Sequence, residues 1–417
     1  MPVDPSEPSF DDAQAAREAA ANRVRETPLL SSAWLGAEVG GHVALKAENL
    51  QRTGSFKVRG AVAKVDRVAR SAAGGVVAAS AGNHGQAVAY AARARGMPCR
   101  ILVPDGASIS KAAAVRGYGG TVEVGGEAIE ECIGRAREYA AEHRAEVIHP
   151  FDDRDVILGQ ATLGLELLEA EPELATLVLP IGGGGLAAGI ASIVKAQWPS
   201  VSVVGVQVEG CASLAGGGTE RSRREVYLAD GIAVKTPGEL TRPLIEAYVD
   251  EICVVSEDAI AEAMVLLMQR SKLVVEGAGA ASVAALLSGA ASAASSGTTV
   301  AVLSGGNVDV NVLAAVARRH EFESGRRLHL FTRIPDRPGA LAEVLAVVAE
   351  AGANVLTAEH LRDALPLHIG ETAIELVLET RGREHSDEVL GALREAGHSI
   401  EGEMHPPQPG AAERDDL

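Results

Sequence analysis

The chain has 417 residues, 47% of them hydrophobic, and sets 38 Lys and Arg against 56 Asp and Glu for a formal net charge of -18. That length supports two or three globular domains with sizeable cores. The acidic balance, with no basic block of five or six residues, argues against nucleic acid or an anionic membrane as a partner, and a small anionic ligand would need a local positive site.

Four cysteines, Cys99, Cys132, Cys211 and Cys253, lie far apart with no CxxC pair. They read as buried thiols of a reduced, cytoplasmic protein. The first residues are polar and acidic, which does not match a signal peptide. Residues 277–308 carry no charge, but their Gly, Ser and Thr interruptions read as a buried helix and a buried strand rather than a membrane span.

In chain order, a polar leader (1–13) overlaps an Ala-rich surface helix (12–25), followed by a turn or short extended piece at 27–30 and a strand at 42–46. From Lys57 a helical run extends to Val68, with Val58, Ala61, Val62, Val65 and Val68 on one face. Strands at 76–79, 100–103 and 121–124 alternate with helices at 85–95, 110–118 and 129–142. The pattern resumes with helix 157–168, strand 177–180, helix 186–196 and strand 203–206. Alternation of this kind predicts a mostly parallel sheet covered on both faces. Residues 215–245 read as a long surface or active-site loop, followed by helices 259–268 and 278–287 and strand 299–303. A charged connection at 318–326 precedes strand 328–334, helix 340–350, strands 353–361 and 371–379, helix 386–396 and a short strand at 399–403. That order predicts a ferredoxin-like sandwich, and the tail after His405 reads as disordered.

Four stretches carry candidate chemistry. In Ser55-Phe56-Lys57-Val58-Arg59-Gly60, a lysine with apolar neighbours opens a helix. Burial and the helix dipole would both favour its neutral amine, the form that attacks a carbonyl; the alternative is a solvated surface lysine. In Pro180-Ile181-Gly182-Gly183-Gly184-Gly185-Leu186, four glycines between a strand and a helix let backbone amides converge on an anion; the alternative is a tight buried turn. No Gly-Lys-Ser or Gly-Lys-Thr follows, so a P-loop does not fit. Ser80-Ala81-Gly82-Asn83-His84-Gly85-Gln86 offers an amide donor and a helix start to a carboxylate, although it also reads as a helix cap with a structural histidine. Ser304, in Leu303-Ser304-Gly305-Gly306-Asn307, would face a ring nitrogen or serve as a cap.

Together these stretches resemble the pyridoxal-phosphate enzymes of the tryptophan-synthase-like fold, most closely the threonine dehydratase (threonine ammonia-lyase) family, over about residues 15–320. The resemblance implies an α/β fold type II catalytic unit built from two open three-layer α/β/α domains, a large one (1–53 and 152–320) and a small one (54–151). It puts the Schiff base of pyridoxal 5'-phosphate on Lys57 and the phosphate on the Gly182–Leu186 loop, with Phe56, Gly231 and Glu276 lining the cofactor. Ser304 would partner the ring nitrogen, where a hydroxyl leaves that nitrogen largely neutral and favours β-elimination. Ser80, Ala81, Gly82, Asn83 and His84 would hold the substrate carboxylate, Asn83 also standing beside the ring oxygen. Freed Lys57 would remove the α-proton, and threonine would yield 2-oxobutanoate and ammonia. Serine racemases carry a second catalytic serine where this chain has Ala81, and Glu209 matches one ligand of their metal site while Ser213 and Ala215 do not supply the expected carboxylate; the expectation is therefore a dehydratase with no tightly bound metal.

Residues 327–402 resemble an ACT domain through Ile334-Pro335-Asp336-Arg337-Pro338-Gly339-Ala340-Leu341 and Gly352-Ala353-Asn354-Val355. This resemblance implies a homodimer or homotetramer, an amino-acid effector such as isoleucine or valine, and a place in isoleucine biosynthesis; the alternative is a module that only stabilises an oligomer. Residues 403–417 form the expected tail. The competing readings are an L-serine dehydratase or a serine/threonine racemase of the same fold, and a non-catalytic amino-acid sensor.

Overall fold

The computed structural model describes residues 7–80, 82–216, 228–361 and 367–404. The chain separates into two compact units, Met1–Asp309 and Val310–Leu417.

The first unit begins with α1 (Phe10–Ala19), β1 (Leu29–Ser31), α2 (Ala33–Val39), β2 (His42–Ala47) and α3 (Lys57–Val68). There follow β3 (Gly75–Ala79), α4 (Asn83–Ala94), β4 (Cys99–Pro104), α5 (Ile109–Gly117), β5 (Thr121–Gly126), α6 (Ile129–His143) and β6 (Ala145–Val147). The chain continues through α7 (Arg154–Ala170), β7 (Leu174–Pro180), α8 (Gly185–Gln197), β8 (Ser202–Val208), α9 (Thr241–Tyr248) and β9 (Glu251–Val255). It closes with α10 (Glu257–Leu266), α11 (Gly277–Leu287) and β10 (Thr298–Leu303).

Two separate sheets result. One has the order β1-β2-β10-β7-β8-β9, parallel throughout except for the antiparallel edge pair of β1 with β2. The other has the order β5-β4-β3-β6 and is parallel throughout. Their central strands are short apolar runs buried along nearly their whole length, Leu177, Val178 and Leu179 in β7 and Val76, Val77 and Ala78 in β3. Such runs need cover on both faces, and crossover helices supply it. Leu163, Leu167, Ile190 and Val194 of α7 and α8 join β7 and β10 in one core, while Val58, Val62 and Val65 of α3 join β3 and β4 in another.

Several elements differ from the expected ones. Helix α9 begins at Thr241, inside the expected loop (215–245), because Pro243 falls in the first helical turn, where a missing N–H removes no bond. Residues 217–227 of that loop lie outside the described residues, as do Ala81 and the tail from 405. Strand β6, of three residues, is too short to show a period, and β6 and β9 pair with the open parallel edges of β3 and β8. Much of the charged connection at 318–326 belongs to a helix, α12 (Val310–Glu323), which Arg319 and Glu323 support as an i,i+4 pair.

After α12 the second unit contains β11 (Arg327–Pro335), α13 (Ala340–Glu350), β12 (Asn354–Leu361), β13 (Glu371–Glu379), α14 (Arg383–Glu395) and β14 (Ile400–Met404). Its sheet order, β12-β13-β11-β14, is antiparallel at every pairing, the arrangement of a ferredoxin-like sandwich. Alternate residues of β11, Leu328 and Leu330, meet Val344 and Val348 of α13 and Leu390 of α14 in its core.

All four cysteines are buried free thiols. Among the described residues, no helix is long and apolar enough to cross a membrane.

Candidate active site

Parallel pairing decides where the site lies. Strands β7 and β10 are neighbours running in the same direction, so the loops that leave their carboxyl ends, Gly182–Gly184 and Ser304–Gly306, emerge side by side. Ligands of open α/β sheets collect in this position. The segment that carries Lys57 is tied to the second of these loops by two backbone hydrogen bonds. The Phe56 amide donates to Ser304 O at 3.0 Å and the Gly306 amide donates to Gly54 O at 2.8 Å, which together make an isolated antiparallel bridge between Ser55 and Gly305.

Lys57 is the first residue of α3 and partly buried. Its Nζ donates to Pro150 O at 2.9 Å and lies 5.1 Å from the centroid of the Phe56 ring. Burial lowers its pKa to about 8, and the nearby Glu276 carboxylate resists that shift. The alternative of a solvated surface lysine does not hold.

The glycine loop is buried from Ile181 through Ala188. Among the described residues, the amides of Gly182, Gly183, Gly184, Gly185, Leu186 and Ala187 have no protein acceptor. Six consecutive buried donors without partners at a helix start constitute an anion cradle, since such groups are otherwise costly to bury. Side chains are excluded around the cradle. A Cβ on Gly183 would sit 2.1 Å from the Phe151 ring, one on Gly182 2.9 Å from Ile232 Cα and 3.1 Å from Gly231 O, and Gly184 adopts φ +92°. The loop is therefore both a tight turn and a cradle. Thr241 Oγ1 donates to Gly183 O at 2.7 Å, while Asp152 accepts from the amides of Glu239 and Leu240 at 3.0 and 2.8 Å, so the start of α9 buttresses the loop from behind.

Asn83 opens α4 at the carboxyl end of β3. Its Nδ2 donates to Glu276 Oε1 at 2.6 Å, and its Oδ1 accepts from Asn307 Nδ2 at 2.8 Å. Asn307 also donates to Thr53 O at 2.7 Å, so a single side chain joins the Asn83 loop, the Ser304 loop and the lysine segment. Ser80 Oγ accepts from the amides of Gly82 and Gly85 at 3.1 and 3.0 Å and sets the turn. The Asn83 and His84 amides have no acceptor among the described residues. The His84 ring is buried, its Nε2 is 2.8 Å from Ile148 O, and burial followed by repulsion from Lys57 pulls its pKa to about 3. The ring is thus a neutral structural group, and only the backbone of His84 faces the site. Ala81 lies outside the described residues.

Glu276 precedes α11 and is buried. Burial and then repulsion from Asp230 push its carboxyl up to about 7, against the Asn83 hydrogen bond and the attraction of Lys111 and Lys57. A Cβ on Gly305 would meet Glu276 Oε1 at 2.2 Å. Ser304 is 3% exposed, with its Oγ 3.4 Å from Ala278 O, a weak bond that leaves the hydroxyl available. Gly231 lies between the glycine loop and α11, where a Cβ would sit 2.9 Å from Ala278 Cβ.

Lys57, Asn83, the glycine loop, Gly231, Glu276 and Ser304 thus converge, although they come from separate loops. Sequence reasoning missed Pro150, Phe151, Asp152, Thr241 and Asn307 as supports, and Lys111, whose Nζ donates to Asp230 Oδ2 at 2.7 Å. Of these only Asn307 gave a sequence signal, as part of the Gly-Gly-Asn turn. Among the described residues no group of three or more His, Cys, Asp or Glu would hold a metal ion.

The family described as pyridoxal-phosphate dependent enzyme matches residues 20–305, and the ACT domain family matches residues 329–398. A protein named L-threonine ammonia-lyase from Thermotoga maritima is 43% identical over 397 residues, 94% of this chain and 98% of its own length. Another of that name from Geobacter sulfurreducens is 42% identical over 384 residues, 91% of this chain and 95% of its own. Among solved structures, the threonine deaminase of T.th. is 40% identical with a TM-score of 0.66, covering 72% of this chain and 99% of that one. Maize serine racemase is 35% identical with a TM-score of 0.68, covering 75% of this chain and 98% of that one.

Proposed function

Because the chain belongs to the pyridoxal-phosphate dependent enzymes, we propose that it is an L-threonine ammonia-lyase, which dehydrates and deaminates L-threonine to 2-oxobutanoate and ammonia and acts on L-serine in the same way to give pyruvate. The observation that carries this reading is the meeting of a partly buried lysine, a cradle of unpaired amides and a buried serine hydroxyl in one site. The residues present fit pyridoxal 5'-phosphate. The amides of Gly182–Leu186 suit its phosphate, the amine of Lys57 suits its aldehyde, and Ser304 suits its ring nitrogen, with Phe56, Asn83, Gly231 and Glu276 around the ring.

When bound, the cofactor supplies an electron sink that makes the substrate α-hydrogen acidic. Lys57 anchors it and, as a neutral amine, removes the α-proton; a pKa of about 8 makes that form accessible near neutrality. Ser80 shapes the loop of Gly82, Asn83 and His84, and the amides of Asn83 and His84, which have no acceptor among the described residues, hold the substrate carboxylate. Ala81 completes that loop in sequence and offers no second acid or base. Glu276 keeps Asn83 in place.

The depressed pKa predicts how stripped protein takes up the cofactor. The refilling rate, followed by absorbance, should rise about tenfold between about pH 7 and about pH 9 and level off above, whereas an ordinary lysine with a pKa of about 10.4 would give a roughly hundredfold rise with no plateau.

The proposed activity is tested by coupled detection of 2-oxo acid from L-threonine and L-serine. Threonine should be the better substrate; one methyl group in an apolar pocket is worth about 1–3 kcal/mol, so the ratio should stay within about 200-fold. Chiral inversion of serine without 2-oxo acid would favour a racemase, the reading to which the maize structure lends weight. Absence of both would favour an amino-acid sensor. We further propose that the two parallel sheets belong to a large catalytic domain (1–53 and 152–320) and a small one (54–151), and that the protein is cytoplasmic and a homodimer or homotetramer. The ACT module would bind isoleucine or valine, and adding each to the same assay should lower the rate; an unchanged rate with both would reject that regulation.

A further inference from the structure

Lys111, near the start of α5, enters the site described so far only through its ion pair with Asp230 and its attraction for Glu276. Its side chain is only 17% exposed, yet its Nζ reaches 2.7 Å from Asp230 Oδ2, and Asp230 is the residue before Gly231. On its other side, a Cβ on Gly82 would lie 4.0 Å from Lys111 Nζ. The amine therefore stands close to Gly82, the first residue of the turn whose Asn83 and His84 amides have no acceptor among the described residues.

The charges around it give this placement its consequence. Asp230, Glu276 and Asp309 all act on Lys111, and Ser108 and Ser110 fix Asp309 by hydrogen bonds to its Oδ1. A substrate carboxylate approaching three acidic groups would be repelled, so its binding requires a cation at this point. Lys111 is that cation. Burial works against its charge, but attraction and the hydrogen bond of Asp230, together with Glu276 and Asp309, outweigh it and raise its pKa. The Asp230 side chain is 57% exposed, and ion pairs with so wet a partner are weak, so exchange of Asp230 for another carboxylate has little to overcome.

We infer that Lys111 recognises the α-carboxylate of the incoming amino acid, leaving Asp230 to donate to that carboxylate over the Gly82–His84 turn. Asp230 then acts as a stand-in that holds the ammonium in place between turnovers. This deepens the proposed ammonia-lyase reading and rests on it for the identity of the substrate.

The test uses the cofactor-loaded, full-length enzyme and L-alanine, an amino acid with no β-leaving group, whose binding is read from the change in the visible spectrum. Lys111→Met should weaken L-alanine binding roughly 10- to 100-fold, the range of a hydrogen bond between charged groups, and should raise KM for threonine by more than it lowers kcat. Lys111→Arg should recover most of the loss. Asp230→Asn should tighten L-alanine binding, because it removes the competing carboxylate. If Lys111 and Asp230 formed only a structural latch, Asp230→Asn and Lys111→Met would weaken binding alike, and that result would overturn the proposal, as would unaltered binding in Lys111→Met. Wild-type protein that binds L-alanine but forms no 2-oxo acid would defeat the ammonia-lyase reading and leave the role of Lys111 to be decided by the same titration.

Discussion

Replacing Arg59 by Met should destabilise the first unit by about 3–5 kcal/mol, the loss typical of removing one partner from a buried ion pair. Arg59 lies two residues after Lys57 and is 2% exposed, and it is surrounded by Lys46, Glu48 and Glu166, which are exposed by 1%, 0% and 3%. Its Nε and Nη2 donate to both oxygens of Glu48 at 2.8 Å, and its Nη1 donates to Glu166 Oε1 at 2.6 Å. Lys46 Nζ donates to Glu166 Oε2 and to Thr27 O, each at 2.7 Å. Two cations and two carboxylates are thus balanced and hydrogen-bonded to one another in a buried place. Burial opposes the charge on Glu48, but attraction and hydrogen bonds from Arg59, with help from Thr27, hold its pKa below the ordinary value. Methionine would keep much of the volume and leave Glu48 charged without its partner. Lys at this position would not replace the fork, because a single ammonium cannot meet both oxygens of Glu48 and reach Glu166 as well. Chemical denaturation of Arg59→Met and Arg59→Lys reads the effect, and a loss below about 1 kcal/mol in Arg59→Met would show that the network contributes little. Since α3 carries Lys57 and α7 carries Glu166, the same network fixes the helix that presents the amine.

This network also shows where sequence reading stops. The Lys57 segment, the glycine loop, the Asn83 turn and the Ser304 turn are each local, and each combines an apolar strand or helix with residue types that have few purely structural uses, so all four are legible in the sequence. The alternation of strands and helices likewise indicates parallel sheets. Contacts between distant segments leave no such trace. Nothing about Phe151 in sequence shows that its ring fills the space beside Gly183, and nothing about Lys111 shows that it faces Gly82 and Asp230. Helix α9 was hidden by Pro243, which reads as a breaker until its position in the first turn is known, and β6 by having only three residues. His84 differs in kind, because the sequence allowed both a substrate contact and a structural ring; the bond to Ile148 O makes the ring structural and leaves the substrate contact to the backbone amide.

Lys57→Ala should abolish catalysis, with a loss of at least about a thousandfold, because one side chain serves as both cofactor anchor and base. The loss should come without collapse of the fold. Among the described residues Lys57 Nζ has a single hydrogen bond, to Pro150 O, and the α3 face that enters the core is formed by Val58, Val62 and Val65. The phosphate cradle of Gly182–Leu186 is untouched by the substitution, so cofactor can still enter, but the bond that retains it through desalting is lost. The most direct measurement is therefore the visible absorption spectrum of wild-type and Lys57→Ala protein, each loaded with pyridoxal phosphate and then desalted. The wild type should keep a visible cofactor band and the variant should lose it; an identical band in both would contradict the assignment of Lys57.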